Sequence, residues 1–211
     1  MMKSNNNIEF LIFDMGNVII DIDISLTIKE LKTELAENEF LLADDFLESA
    51  LHADFETGAI DEMEFRNGIR TAFKKEWEDV WIDKAWNTLL LTIPKERIAL
   101  LKALRKKHKL YLLSNTNSIH FKVVEEILKR DHGDESFISL FDRIFLSYEM
   151  GLKKPDKRIY EKVVAEIGAK PEQCLFFDDL EENLKSAKEV GLETHHITHP
   201  KALVDYFSHV Q

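Results

Sequence analysis

The chain has 211 residues, 45% hydrophobic and 32% charged, enough for one sizeable core and a small second unit in a globular protein. Its formal net charge of −11 lacks the basic surface that nucleic-acid phosphates and anionic membranes reward, so neither is expected as a partner. The single cysteine, Cys174, excludes an intrachain disulfide, the start MMKSNNNIEF holds no apolar export segment, and no run of about 18 apolar residues occurs, so a cytoplasmic location is expected.

In chain order, IEFLIF predicts a buried strand that runs directly into Asp14. An unpaired carboxylate is too costly to keep inside a core, so Asp14 is expected on a turn that a ligand can reach. Asn17, after Gly16, suits the left-handed conformation that such a turn requires. Residues 22–91 show no comparable strand and read as helices. Asp61 with Glu64 forms a capping box, followed by Phe65, Ile69, Ala72 and Phe73 at helical spacing. Trp77, Trp81 and Trp86 all fall here, where they are expected to hold a small helical bundle together.

From residue 92 the texture changes to β-rich runs alternating with helices. Pro94 suits a first helical turn, before Ile98, Leu101 and Leu104 on one stripe. The strand KLYLLS follows, then RIFLS. Asp156 is expected to cap a helix carrying Ile159, Val163 and Ile167, with Gly168 ending it. The strand CLFF precedes a helix with Leu184, Ala187 and Val190 on one face before Gly191, and THHIT reads as a last strand. Alternation of this kind predicts an α/β, doubly wound, Rossmann-like parallel-sheet core of residues 1–21 and 92–211, with a small helical cap of residues 22–91 inserted after the first strand.

Open α/β sheets bind ligands at the carboxyl ends of their strands. After LIF stands Asp14; after YLL, Ser114 and Asn115; after IFLS, the loop GLKKPD; after CLFF, Asp178 and Asp179. A carboxylate, a hydroxyl with an amide, a lysine pair and two further carboxylates suit phosphoryl transfer through a covalent carboxylate intermediate. One carboxylate attacks phosphorus, others hold a divalent cation, and Ser and Lys stabilise the equatorial charge.

With FDMGNV, LLSN, KKPDKRIY and FFDD in this order, and a helical insertion after the first, the chain resembles the haloacid dehalogenase-like hydrolases over essentially its whole length. That resemblance implies Asp14 as nucleophile and metal ligand, and the Gly16 carbonyl as a second ligand. It implies Ser114 and the Asn115 backbone as phosphate-binding groups, and Lys154, rather than Lys153, as the bridge between Asp14 and the phosphoryl group. Asp179 would be a metal carboxylate, with Asp178 coordinating directly or orienting a water. Such ligands suit Mg2+, and the implied substrate is a small phosphorylated metabolite.

Where most phosphatases of that superfamily have a second Asp, this chain has Gly16. A positioned acid or base contributes roughly 10²–10⁴-fold, so its loss matters. Three readings follow. One is a phosphatase similar to bacterial enzymes acting on sugar phosphates such as α-glucose 1-phosphate. Another is a metal-independent 2-haloacid dehalogenase, whose chemistry does not require the paired Asp178 and Asp179. The last is a binding or regulatory protein of the same fold, against which the joint presence of Asp14, Ser114, Lys154 and Asp179 argues.

Other signals have ordinary explanations. His195, His196 and His199 sit on a strand and its loop, where alternation separates neighbours, so surface or core histidines are expected rather than metal ligands. KKEWED and RKKHK are solvated helix faces, and no dinucleotide or P-loop glycine motif occurs. Asp21 and Asp23 read as linker residues, Asp23 near a helix start, ahead of replacement proton donors. In the cap, Glu56, Thr57, Gly58 and Arg66 are candidates for substrate recognition, though Arg66 reads as an exposed helix arginine.

Overall fold

All five β-rich runs form strands of one parallel sheet. The computed structural model describes residues 8–133 and 136–208. In it β1 (Phe10–Phe13), β2 (Lys109–Ser114), β3 (Arg143–Leu146), β4 (Cys174–Asp178) and β5 (Glu193–His196) lie in the order β3-β2-β1-β4-β5. Every pairing is parallel. Strand alternation sends Leu11, Phe13, Leu110 and Leu112 into one apolar cluster and Ile12, Tyr111, Leu113 and Phe176 into another. Both faces are therefore covered, as a parallel sheet requires.

Between β1 and β2 lie α1 (Ile24–Lys32), α2 (Phe40–Asp44), α3 (Ala50–Glu56), α4 (Glu62–Phe73) and α5 (Asp79–Asn87). They have their own core, in which Phe55 and Phe65 stack at 4.0 Å and Trp86 lies 5.1 Å from Phe65. Trp77 and Trp81 pack against it, as expected of structural aromatics. The Asp61–Glu64 capping box forms, with Glu64 N donating to Asp61 Oδ1 at 2.8 Å and Asp61 N to Glu64 Oε2 at 2.9 Å. The apolar stripe of α4 is narrower than its spacing implies: Phe65, Ile69 and Phe73 are buried, whereas Ala72 is exposed.

The two connections to these helices run side by side, Ile22 bridging Leu90 in antiparallel fashion. Asp23 N donates to Leu89 O and Asp21 N to Thr92 O, each at 2.9 Å, and Leu91 N donates to Asp21 O at 3.0 Å. Ile22 and Leu90 of the stem line one cavity with Asp14, the residue after β1. No sequence pattern announced this bridge, because a single residue pair has no periodicity to read.

The sheet is completed by α6 (Lys95–Leu104), α7 (Ser118–His132), α8 (Ser147–Met150), α9 (Lys157–Ile167), α10 (Glu181–Val190) and α11 (Ala202–Ser208). Pro94 occupies the cap position before α6, just outside the first turn. Asp156 caps α9, and Gly168 and Gly191 end α9 and α10 in the left-handed conformation. No helix among the described residues is long and apolar enough to cross a membrane.

Because Phe65 is fully buried at the centre of the helical core, Phe65→Ala is expected to cost about 3–5 kcal/mol in equilibrium urea unfolding. A loss below about 1 kcal/mol would mean that this core collapses around the deletion or unfolds separately from the sheet.

Candidate active site

Register brings the acidic residues together. β1 and β4 flank the point where the chain reverses its direction of winding, the usual ligand crevice of such sheets. Phe13 stands opposite Phe177, so the next residues, Asp14 and Asp178, emerge side by side, with Asp14 N donating to Phe177 O at 2.9 Å. On the other flank β2 ends at Ser114, which is buried.

The turn after Asp14 is tight. Ile19 N and Ile20 N both donate to Met15 O at 2.9 Å, and Asn17 has φ of 55° in the left-handed region. Asn17 also ties two loops, donating from Nδ2 to Asp179 Oδ2 at 3.0 Å and accepting from Ile22 N at 3.2 Å. Among the described residues no hydrogen bond reaches the Gly16 carbonyl. A Cβ on Gly16 would lie 2.9 Å from Ile22 Cδ1, so an isoleucine from the stem fills the space beside this position.

Lys154 is the central cation. It is 3% exposed, and its Nζ donates to Asp14 Oδ1 and to Asp178 Oδ2, each at 2.7 Å. Asn115 fixes the backbone there, with Asn115 Nδ2 donating to Lys154 O and Lys154 N donating to Asn115 Oδ1, each at 2.8 Å. Asp178 is fully buried: Oδ1 accepts from Leu180 N at 2.8 Å and Asn183 Nδ2 at 3.0 Å, and Asn183 Nδ2 also lies 3.1 Å from Oδ2. Asp14, Asp178 and Asp179 each offer an oxygen within 4.8 Å of the others, an all-oxygen donor set of the kind magnesium takes.

Burial pushes the Asp14 carboxyl up to about 7, opposed by the Lys154 ammonium and assisted by the Asp178 and Asp179 charges. Asp179 is raised for the same reasons, burial first, with the Asn17 hydrogen bond acting against it. Burial by itself would depress Lys154, but Asp14 and Asp178 hold it above its ordinary value. The cluster is thus short of positive charge and suited to a cation beside Lys154.

The cavity in front of Asp14 measures about 190 Å³. Ser114, Lys154 and Asp179 line its polar side, and Ile22, Ile24 and Leu90 from the stem line the other. The sequence candidates Asp14, Gly16, Ser114, Asn115, Lys154 and Asp179 therefore surround one space, with Asp178 behind Lys154. Asn183, which holds Asp178, was not anticipated; a single amide on an otherwise ordinary helix face gives no signal.

Several side chains are engaged elsewhere. Asp21 Oδ1 lies 2.7 Å from Nη1 of the buried Arg97, which also donates to Ile19 O. Asp23 caps α1. His195 packs on Tyr206, His199 is exposed, and His196 Nε2 meets the Asp179 carbonyl at 3.0 Å. Arg66 is not the exposed arginine its helical position implies: it is held by Asp83 at 2.8 Å and Glu62 at 3.3 Å. Lys153 reaches Glu56 at 2.8 Å, tying the loop after α8 to α3. Glu62 accepts from Ser118 Oγ at 2.7 Å and Lys122 Nζ at 2.6 Å. Gly58, with φ of 67°, approaches Tyr148 so closely that a Cβ would lie 2.1 Å from its carbonyl oxygen. Thr57 Oγ1 bonds within its own helix, to Ala53 O.

A family model described as haloacid dehalogenase-like hydrolase matches residues 8–191. The chain is 28% identical to a D-ribitol-5-phosphate phosphatase of Bacteroides thetaiotaomicron, over 89% of this chain and 90% of that protein. A solved HAD-family enzyme of the same organism, in complex with magnesium and inorganic phosphate, is 36% identical with a TM-score of 0.82, over 90% of this chain and 93% of that one. A predicted HAD-like hydrolase from Porphyromonas gingivalis is 26% identical, with a TM-score of 0.85 over 97% and 98% of the two chains.

The two adjacent lysines separate cleanly in their surroundings. Lys154→Ala leaves buried carboxylates unpaired and is expected to cost about 3–5 kcal/mol of stability without divalent cations, whereas Lys153→Ala loses a partly exposed pair worth about 0–1 kcal/mol. Equal losses in chemical denaturation would contradict this assignment.

Proposed function

The chain belongs to the haloacid dehalogenase-like hydrolases, and on that premise we propose that it is a magnesium-dependent phosphomonoester phosphatase. Its substrates are small phosphorylated metabolites, sugar or polyol phosphates, and Asp14 is the nucleophile. The observation that carries this reading is the buried Asp14–Lys154–Asp178 array, with Asp179 and Ser114 around the same cavity. Similarity to a D-ribitol-5-phosphate phosphatase supports the substrate class.

An Asp14 oxygen attacks phosphorus while the bond from phosphorus to the leaving oxygen breaks, giving an aspartyl phosphate and the free alcohol. Lys154 Nζ, already on Asp14, and Ser114 Oγ with the Asn115 N–H neutralise the equatorial oxygens. Water then attacks the same phosphorus, the bond to Asp14 breaks, and inorganic phosphate leaves with the carboxylate restored. Magnesium, held by Asp14, Asp179 and the Gly16 carbonyl, would supply further charge neutralisation there. Asp178, whose oxygens accept from Lys154, Asn183 and Leu180 N, orients Lys154 and would help hold the cation, directly or by orienting a water.

Among the described residues, no carboxylate besides Asp14 and Asp179 lines the cavity at Gly16. Ile22 fills the space beside that glycine, Asp21 is committed to Arg97 and Asp23 to the α1 cap. The leaving oxygen takes its proton from solvent or from the substrate, so weakly basic leaving groups are favoured and aldose 1-phosphates should surpass 6-phosphates.

The test is phosphate release from esters of graded leaving-group pKa, with magnesium and after chelation. Activity should vanish on chelation, return with magnesium, and fall steadily as leaving-group pKa rises. A flat plot would show that another residue serves as the acid, and magnesium-independent halide release from 2-chloropropionate would favour the dehalogenase reading.

A further inference from the structure

Beside the phosphoryl site the cavity wall carries two side chains with a polar atom that has no hydrogen-bond partner among the described residues, His120 and Thr116. His120, in the first turn of α7, is 8% exposed and lines the cavity. Its Nδ1 lies 2.9 Å from Asn87 Oδ1, while Asn87 Nδ2 donates to Asp83 O at 2.8 Å. With its NH₂ group turned to Asp83, Asn87 presents only an acceptor to the imidazole. Nδ1 therefore carries the ring proton, and Nε2 is left with a lone pair.

Among the described residues, Nε2 has no hydrogen-bond partner. Burial holds the ring down to about 3, so it is a neutral acceptor under ordinary conditions. Trp86 fixes its plane, stacking at 5.0 Å and 11°. Thr116, 3% exposed, lines the same cavity, and its Oγ1 also has no partner.

Thr116 Oγ1 is both buried and unpartnered; such a group costs about 1–3 kcal/mol and calls for an explanation in a native fold. The other amides lining this cavity are already engaged: Asn17 with Asp179, Asn115 with the Lys154 backbone, Asn183 with Asp178. The stem side is apolar. Among the described residues lining this cavity, Thr116 and His120 are the polar side chains that neither the phosphoryl machinery nor another side chain engages through these atoms.

We propose that Thr116 and His120 form a hydroxyl-recognition subsite for a polyol or sugar leaving group, with His120 Nε2 accepting from one hydroxyl and Thr116 Oγ1 pairing with another. The subsite rests on the phosphatase reading of Asp14 and names the part of the substrate that the phosphoryl machinery does not contact. It excludes carboxylated leaving groups at this position, because a carboxylate has no proton to donate to the imidazole lone pair. The neutral tautomer suits this role: a protonated ring would present a donor on both sides.

The test compares D-ribitol 5-phosphate with n-pentyl phosphate, which has the same chain length and no hydroxyls, in the wild type, His120→Phe and Thr116→Val, all with magnesium. Phenylalanine keeps the stack on Trp86, and valine keeps the shape of threonine. Each variant is expected to lower the ribitol-to-pentyl ratio of kcat/KM by roughly tenfold or more, mainly through KM for the polyol ester. A merely structural role would change both esters together and leave the ratio fixed. An unchanged ratio in the variants overturns the subsite, and if His120→Phe fails to fold, the near-isosteric Thr116→Val decides alone. p-Nitrophenyl phosphate is run beside them. Wild-type turnover of that ester with an unchanged ribitol ratio rejects the subsite only, whereas no turnover of any ester rejects the phosphatase reading beneath it.

Discussion

One buried ammonium organises the carboxyl-terminal end of the sheet. Lys154 Nζ sits 2.7 Å from a carboxylate at the end of β1 and 2.7 Å from another at the end of β4. Both carboxylates are almost out of contact with water, where an unpaired charge is costly. The lysine permits two adjacent acids at a strand switch point, and the surrounding structure keeps it there. Asn115 clamps its backbone, Asn183 holds its second carboxylate, and the parallel register of β1 and β4 sets the spacing.

The helical unit completes that arrangement. Its stem lays Ile22 and Leu90 over the cavity, and its α3 and α4 reach the core through Glu56 to Lys153, Glu62 to Ser118 and Lys122, and the close approach of Gly58 to Tyr148. The stem residues line the space in front of Asp14, and the other contacts tie the helical unit to the core. An apolar roof over a charged floor raises the electrostatic value of each fixed dipole and charge within it. Gly16 itself carries no side chain, and Ile22 of the stem fills the space beside it.

Much of this was legible in the sequence because it is written in local pattern. Short β-rich runs that alternate with helical stripes fix the sheet, and a charged or hydroxylic residue immediately after such a run marks a strand end, as with Asp14, Ser114 and Asp178. Asn17 was readable because few residues accept positive φ. What was not legible depends on contacts between distant segments. Asn183 and His120 sit on ordinary helix faces and gain meaning only from Asp178 and Asn87. Arg97 is a charged residue in an apolar stripe whose partner, Asp21, lies far away in sequence. Arg66 reads as exposed until Asp83 is brought beside it, and Ile22 is one apolar residue in a linker until the stem folds it against Gly16.

The central claim is that Asp14 becomes phosphorylated during turnover. Its most direct test is an acid-quenched single turnover with a substrate radiolabelled in the phosphoryl group, followed by peptide mapping. The account predicts a transient label on the peptide containing Asp14, decaying as inorganic phosphate appears and absent from Asp14→Asn. Phosphate release at the wild-type rate with no label on that peptide at any time, or with the same release from Asp14→Asn, would contradict it.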